Sequence, residues 1–180
     1  MNEISIEKLQ YPIGKFEAPE IYTKSYLKEK IEEIEGFAEE LESEVIHLNE
    51  EQLNTSYRPE GWTIRQVIHH CADSHINCFI RIKWALTEDK PIIKYYEEDL
   101  WGELIDNTTM PIEPTLQLLK GLHFRLAYLL KSLNENDLEK AFIHPAHGKS
   151  FSIKEIIGTY AWHGNHHLAH ITELKKRKSW

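Results

Sequence analysis

Four stretches of the chain place apolar side chains at intervals of three and four residues, and this spacing most limits the folds open to the chain. Such intervals return to one side of an α-helix at every turn. The stretches cover about 21–47, 63–86, 114–133 and 152–178. The sequence offers no convincing alternation typical of strands. We therefore predict an all-α protein, an up-down four-helix bundle in a single domain of residues 1–180.

Two of the predicted helices begin with a capping box, a hydroxyl residue followed three positions later by Glu or Gln. Thr63 with Gln66 opens the second helix, and Ser152 with Glu155 opens the fourth. Such a box satisfies backbone N–H groups that have no partner inside the helix. The short segments 48–53 and 133–138 resemble each other, and each precedes a loop and a capping box. Either two related helix–turn–helix halves or chance similarity of a common turn accounts for this echo.

Three segments lack the helical pattern. Residues 1–20 are predicted to form an irregular N-terminal arm, which can pack over another part of the protein through Tyr11, Ile13 and Phe16. Residues 131–150 are predicted to be a loop. Residues 88–112 form one long crossover with room for a short helix in its middle. A crossover of this length is either a functional lid or only a connection between distant corners of the bundle.

Composition excludes several classes of partner. The formal charge of −8 argues against nucleic acid or an anionic membrane surface as the main partner. No run of 18 apolar residues is present, so we expect no membrane span. The acidic first residues do not resemble a signal peptide, so we expect a cytoplasmic protein. Cys71 and Cys78 lie roughly 10 Å apart along one helix, too far for a disulfide, and are expected in the core or, for one of them, near a metal.

The last helix carries four histidines within eight residues, namely His163, His166, His167 and His170. At about 100° per residue, His167 lies about 40° from His163, and His170 lies about 20° to its other side. One face therefore carries imidazoles over two turns. A pair at positions i and i+4, such as His163 and His167, can hold one metal ion from a single helix.

A third imidazole can come from the second helix. His70 lies on the shoulder of its apolar stripe, whereas His75 lies inside the stripe as a hydrogen-bonded core residue and His69 points to solvent or a flank. Three histidines with a fourth position open are typical of a catalytic zinc site. We predict a metal site formed by His70, His163 and His167. The alternative is a histidine-rich, partly solvated face that responds to pH.

Arg81 is a candidate for binding an anion. It ends a polar line that leaves His70 and passes Ser74 and Asn77 along the second helix. A guanidinium in that position can hold an anionic group of a substrate or cofactor. The alternative role is an ordinary salt bridge at the surface.

The general base of a hydrolase is not evident from the sequence. Helical zinc proteases carry Glu directly after the first ligand histidine, but Gly164 follows His163 here. Asp73, Glu173 or a carboxylate of segment 88–112 can take that role. Asp73 and Arg81 are therefore the catalytic candidates that accompany the predicted metal site.

The sequence around these residues resembles the DinB-like superfamily of four-helix-bundle metalloproteins, and within it the YfiT-like branch. The resemblance covers nearly the whole chain, and the string Gly-Trp-Thr-x-Arg-Gln-Val-x-His-His is quite specific. The stretches that carry it are Tyr11–Gly14, Tyr57–His70, Ala72–His75, Arg81–Lys83 with Leu86–Glu88, and Trp162-His163 with His166–Leu174. The metal ligands of the family fall on His70, His163 and His167.

The resemblance implies a cytoplasmic homodimer with one divalent metal per chain, zinc by default and nickel as the alternative, acting on a small molecule. Its members are described as metal-dependent hydrolases, so we expect the ion to activate water or another nucleophile. Some members of the superfamily instead transfer a low-molecular-weight thiol such as bacillithiol. That chemistry binds the thiol as thiolate and needs no separate strong base. A non-catalytic metal-binding dimer module is the third alternative.

Overall fold

The computed structural model describes residues 5–180, and four long helices dominate it. The first four residues of the predicted arm lie outside the described residues. In chain order the elements are α1 (Ile6–Gln10), α2 (Lys24–Val45), α3 (Glu50–Leu53), α4 (Ile64–Thr87), α5 (Glu98–Gly102), α6 (Ile105–Thr109), α7 (Glu113–Lys131), α8 (Glu135–Glu139), β1 (Ala141–His144), β2 (Lys149–Ser152) and α9 (Ile153–Lys178). The predicted four-helix bundle is confirmed as α2, α4, α7 and α9. Within residues 5–180 no helix is long and apolar enough to cross a membrane.

The two predicted capping boxes open α4 and α9. The backbone N–H of Thr63 donates to the Gln66 side chain at 2.9 Å, and the N–H of Gln66 donates back to the Thr63 hydroxyl at 3.2 Å. At α9 the N–H of Ser152 donates to the Glu155 carboxylate at 2.7 Å. Both helices therefore begin at a residue whose side chain caps backbone N–H groups of the first turn.

The two halves of the chain share one plan, in agreement with the echo in the sequence. The short helices α3 and α8 are each opened by an asparagine capping box, at Asn49 and at Asn134. Each is followed by a paired connection, an isolated bridge between Ser56 and Thr63 in the first half and the strands β1 and β2 in the second. We interpret the echo as two related halves, since its likeness extends to the capping and the pairing.

The order of the helices around the bundle brings α4 beside α9. Helix α2 packs along α7 and α9, and α4 packs along the same two helices. Helices α2 and α4 therefore occupy opposite corners, as do α7 and α9. Helical periodicity alone carries no information about this order. The consequence for the site is that residues of α4 face those of α9 directly.

A layer of buried histidines separates two apolar clusters of the core. On α4 one cluster ends at Ala72 and the other begins at Cys78, and His75 lies buried between them. On α7 buried His123 takes the same intermediate position. Cys71 and Cys78 are buried and unpaired, as predicted. The bundle thus contains a polar middle layer with an apolar cluster on each side.

The predicted loop at 131–150 is wrong in two respects, because it contains the short helix α8 and most of an antiparallel hairpin. Strands β1 and β2 pair from Ala141 with Ser152 to His144 with Lys149. Each strand has only four residues, too few for alternation to stand out in the sequence. Tertiary contacts hold the hairpin, since Phe142 is buried in the core and the Ile93 N–H donates to the Ile143 carbonyl at 3.0 Å.

The N-terminal arm packs over α9, as predicted, but part of it is helical. Helix α1 is capped by the Ser5 hydroxyl, so the prediction of a wholly irregular arm is wrong there. The carbonyl of Gln10 accepts a hydrogen bond from His170 at 2.9 Å, and the carbonyl of Gly14 accepts one from the Trp162 indole at 3.3 Å. The arm therefore covers the outer histidines of the last helix.

The crossover at 88–112 is anchored on α4 by buried polar side chains and contains the short helices α5 and α6. Arg65 donates to the Met110 carbonyl at 2.7 Å, and Gln66 donates to the Gly102 carbonyl at 2.9 Å. His69 Nε2 lies 3.2 Å from the Met110 carbonyl of the crossover, and its Nδ1 lies 2.8 Å from the hydroxyl of Thr115 on α7. The prediction that His69 points to solvent or a flank is wrong, since the crossover covers this side of α4 and buries it.

Candidate metal centre

His70 of α4 and His163 and His167 of α9 converge at the border between the two helices. One ring nitrogen of each lies within 4.8 Å of the others. We call these three residues the ligand set. The Nε2 atoms of His70 and His163 are 3.3 Å apart. Two nitrogens bound tetrahedrally to zinc at roughly 2.0–2.1 Å are separated by roughly 3.3 Å, so this pair fits one ion.

Burial keeps the ligand set neutral at pH 7. It lowers the pKa of His70 to about 4, and the nearby His166 adds to this effect. Burial, followed by the neighbouring imidazoles, also lowers the pKa of His163 and of His167 well below the usual value for histidine. A neutral imidazole has the lone pair that a metal ion needs. The ligand set is therefore in its metal-binding protonation state.

Two further buried histidines, His75 of α4 and His123 of α7, connect the ligand set to the backbone of α2. We call them the support pair. His123 Nδ1 contacts the Ile34 carbonyl, and His123 Nε2 lies 2.7 Å from His75 Nδ1. His75 Nε2 in turn lies 3.0 Å from His163 Nδ1. Because burial lowers the pKa of both support residues, each carries a single ring N–H.

The direction of this chain follows from its fixed end. The Ile34 carbonyl can only accept, so His123 donates from Nδ1 and accepts at Nε2. His75 must then donate from Nδ1 and accept at Nε2, and His163 must donate from Nδ1. This leaves the lone pair of His163 on Nε2, the nitrogen that faces His70. One backbone carbonyl thus sets the tautomer of a ligand residue through two intervening imidazoles.

The absence of a glutamate after His163 has a packing cause. A Cβ atom on Gly164 would lie 2.9 Å from the ring of Phe37. That ring packs on both members of the support pair, with centroid distances of 5.2 Å to His75 and 5.1 Å to His123. Residue 164 therefore faces the closely packed middle of the bundle, where a glutamate has no space.

His166 and His170, the other two histidines of the cluster, contact His167 edge-on and make their remaining contacts away from the ligand set. His166 stacks on Trp162 with ring centroids 4.5 Å apart, and His170 stacks on Tyr57 at 3.9 Å. His170 also donates to the Gln10 carbonyl of the arm. These two residues fasten the arm and the first connection to α9, in agreement with their predicted place outside the ligand set.

A cavity of about 400 Å³ leads to the ligand set through His163. It lies between α4, α9, the crossover and the hairpin. Its lining combines polar side chains of the bundle with a rim supplied by the two irregular segments: Ser74, Arg81, Thr159, Tyr160 and His163 from the helices, Tyr95, Tyr96, Glu97, Glu98 and Asp99 from the crossover, and His144, Ala146 and His147 from the hairpin. The crossover thus forms one wall of the cavity.

The candidate bases are separated by the fold. The Asp73 carboxylate accepts from Asn107 of α6 at 3.1 Å, so it helps to hold the crossover. Glu173 pairs with Lys176 at 2.7 Å on the last turns of α9. Only the third predicted source, segment 88–112, supplies carboxylates to the cavity lining, namely those of residues 97–99.

Several cavity residues were not among the predicted site residues. Tyr160 lies three positions before His163, so helical spacing contained the signal for it. Tyr96 and His144 belong to irregular segments, whose position over the bundle no local pattern reveals. A larger groove of about 1090 Å³ lies near the start of α2 and α8. It contains none of the predicted site residues, so the smaller cavity is the candidate site.

Known proteins that are similar to this chain are named, provisionally, as metal-dependent hydrolases. The sequence profile of the DinB superfamily matches residues 32–171. A protein of Oceanobacillus iheyensis, provisionally named a metal-dependent hydrolase, is 53% identical over 95% of this chain and 98% of its own. A relative from Geobacillus thermodenitrificans with the same provisional name is 45% identical over 98% and 99%.

The solved structure of YfiT from Bacillus subtilis superposes with a TM-score of 0.94 at 40% identity. The superposition covers 96% of this chain and 99% of the YfiT chain. YfiT is described, also provisionally, as a metal-dependent hydrolase with an unusual four-helix bundle topology.

Proposed function

Since the chain belongs to the DinB superfamily, we propose that it is a metal-dependent hydrolase in which His70, His163 and His167 hold one divalent ion. The observation that carries the proposal is the 3.3 Å approach of His70 Nε2 to His163 Nε2. Nε2 of His163 carries a lone pair, and Nε2 of His70 carries one when the His70 proton is on Nδ1, so the two nitrogens can bind one cation between them. One ring nitrogen of His167 lies within 4.8 Å of the nitrogens of the other two residues, which gives the site a third ligand atom.

Zinc is the ion we propose, with nickel as the alternative, one per chain. Three neutral imidazoles with room for a fourth ligand match catalytic zinc. A divalent ion in such a site supplies Lewis-acid chemistry, since it lowers the pKa of water toward neutrality and polarises a carbonyl or phosphoryl oxygen. The support pair would hold His163 in its ligating orientation.

The cavity residues divide into a proton acceptor and hydrogen-bond donors. Partial loss of water at the cavity rim, followed by repulsion from Asp99, raises the pKa of Glu98, which makes this carboxylate the proposed general base. Burial also raises the pKa of Tyr96 to about 12 and that of Tyr160 beyond it. Both phenols therefore stay protonated at pH 7 and can donate to an oxygen that gains negative charge during the reaction.

Metal analysis tests the proposal directly. Purified wild-type protein should contain about one divalent ion per chain, and the double variant His163→Ala/His167→Ala should contain almost none. His47→Ala, which removes an exposed histidine outside the site, should keep its metal. Turnover on a panel of esters, amides and phosphoesters should then be lost on metal removal. Unchanged metal content in the double variant would exclude this site.

A bacillithiol S-transferase is the second candidate, and one observation favours it. Within residues 5–180 no carboxylate joins the ligand set, and the cavity carboxylates are all on the exposed rim. Transfer of a metal-bound thiolate needs no strong base there. Metal-dependent conjugation of bacillithiol to monochlorobimane, without turnover on the hydrolase panel, would select the transferase. Inactivity in both assays with tight metal binding would select a non-catalytic metal-binding module.

We also propose that the protein is a cytoplasmic homodimer acting on a small molecule. The exposed face of α7 carries Phe124 and Tyr128, four positions apart, which are 67% and 74% exposed. Grouped apolar residues of this size commonly mark an interface. Light scattering should report a dimer for the wild type and a monomer for Phe124→Glu/Tyr128→Glu. Ile21→Glu, at a similarly exposed apolar position elsewhere, should remain dimeric.

A further inference from the structure

Arg81 is a buried cation whose polar atoms are left without partners. The side chain is only 7% exposed, and both Nε and Nη2 are buried with no hydrogen bond. Among the described residues no carboxylate oxygen lies within 4.0 Å of its guanidinium. The surface salt bridge considered from the sequence is therefore absent from residues 5–180.

A buried guanidinium without partners destabilises the fold unless a bound group balances its charge and accepts its hydrogen bonds. A charge taken out of water loses its hydration and must recover it from a counter-charge and hydrogen bonds. The ring of Tyr96, with its centroid 5.9 Å from the guanidinium carbon, offers only a weak cation–π contact. Two free N–H directions of one planar fork match the two oxygens of a bidentate oxyanion. The missing partner is thus an anion from outside the chain.

The position of Arg81 connects this anion to the metal centre. Arg81 and His163 line the same cavity, together with Ser74 and Tyr160. His144 lies on the hairpin side of that cavity and has a buried Nδ1 without a partner. A small molecule in the cavity can therefore contact Arg81 with one end while its other end lies at the ligand set. The site selects for molecules that carry a negative group at a distance from the reacting bond.

The rim limits the charge of that group. Glu97, Glu98 and Asp99 line the same cavity around its mouth. Their charges repel a dianion such as phosphate at neutral pH more strongly than a singly charged group. A carboxylate has one negative charge and the planar two-oxygen geometry that suits a guanidinium.

We propose that Arg81 determines substrate specificity by binding a carboxylate of the substrate while the bond to be hydrolysed lies at the ligand set. The inference rests on the proposed function only where it calls the bound molecule a substrate. The carboxylate site itself is a property of Arg81 and the cavity, and it can be tested in protein that contains no metal.

The test measures binding of acetate and of N-acetylglycine to metal-free protein. The metal is removed with a chelator and the chelator by desalting, and chloride keeps the ionic strength constant. We expect both carboxylates to raise the Tm of the wild type. In Arg81→Met the dissociation constant should rise at least about tenfold, since a charge-assisted bidentate contact is lost. Arg125→Met, which removes an exposed arginine of α7, should bind like the wild type.

Two further measurements separate binding from folding. In chloride alone Arg81→Met should melt at or above the wild-type Tm, because an uncompensated buried charge has been removed. A lower Tm in chloride would identify a structural role and overturn the proposal. In the ¹⁵N–¹H spectrum of the wild type, the Arg81 Nε–H resonance should shift with acetate and not with chloride.

The remaining outcomes are equally decisive. Equal carboxylate binding by wild type and Arg81→Met would overturn the proposal, as would stabilisation by phosphate but not by carboxylates. If metal analysis finds no ion while acetate still binds through Arg81, the proposed hydrolase fails and the carboxylate site stands. If the metal is present and Arg81→Met changes nothing, the proposed function stands without this inference.

Discussion

The ligand set and the support pair both consist of histidines in the middle of the bundle that are neutral at pH 7. They differ in how their ring nitrogens are hydrogen-bonded. Both ring nitrogens of His75 and of His123 have partners. In the ligand set, by contrast, the Nε2 atoms of His70 and His163 face each other, and the Nδ1 of His167 has no partner. The support pair is fully hydrogen-bonded within the protein, whereas the ligand set still has ring nitrogens that can bind a cation.

The hydrogen-bond partners of a histidine in the bundle therefore help to distinguish a structural residue from a candidate metal ligand. A chain of imidazoles that ends on a carbonyl has one allowed direction, so every N–H is used and nothing is left to bind a ligand. In the ligand set no such chain fixes the proton of His70, so its converging ring nitrogens can present lone pairs to a cation. Burial and residue type alone would have placed the five residues in one class.

The largest expected effect is the response of the metal-free protein to acid. The pKa of His70 is lowered to about 4 in the folded state, so below about pH 6.5 the unfolded chain takes up protons that the folded chain does not. Stability is therefore present above pH 6.5 and lost as the pH falls toward 4, by roughly 3 kcal/mol from this residue alone. Urea unfolding at several pH values measures it. A constant free energy of unfolding from pH 7 to 4 would contradict the buried neutral state.

The next effect is the loss of one member of the ligand set. His70→Ala should weaken zinc binding by more than about 100-fold, since structural zinc sites share roughly 10–16 kcal/mol among about four ligands. Competition with a chromophoric chelator gives the affinity. If His70→Ala binds zinc as the wild type does, the division into ligand set and support pair is wrong.

Breaking the support pair should have a smaller effect on the metal. In His123→Leu the N–H of His75 loses its acceptor, so the tautomer of His163 is no longer imposed. Loss of such outer partners weakens metal binding by roughly 10–100-fold. In His123→Gln the amide can both accept from His75 and donate to the Ile34 carbonyl, so affinity should return toward the wild-type value. Equal losses in the two variants would show that position 123 acts through packing alone.

The smallest expected effect is that of crowding the middle layer. Gly164→Ala places a methyl group against Phe37, whose ring packs on the support pair. Overpacking of this kind costs about 1–3 kcal/mol. Thermal or urea unfolding measures this cost. Gly121→Ala, where an added Cβ meets no atom within 4 Å, is the matched control and should not destabilise. If Gly164→Ala is as stable as the wild type, the middle layer of the bundle has room for an extra methyl group beside Phe37.

Much of the scaffold could be predicted because its causes are local. Capping boxes at Thr63 and Ser152, together with apolar residues at every third or fourth position, specify where α4 and α9 begin and which faces they bury. The angular positions of His70, His163 and His167 follow from the same helical geometry, and the structure brings these three residues together. The hairpin at 141–152 was missed, since its short strands depend on contacts with the core and the crossover.

The sequence by itself determined the four helices, their buried faces and the three histidines that border them, because each depends on spacing of a few residues along one helix. Only the tertiary structure decided that α4 lies beside α9, that the crossover buries His69 and occupies Asp73, and that Arg81 is enclosed without a counter-charge. Those features depend on which surfaces meet, and contacts between segments distant in sequence leave no periodic trace in either segment. The metal site therefore depends on both levels. Spacing along the helices supplies the candidate ligands, and the packing of the bundle brings their ring nitrogens together.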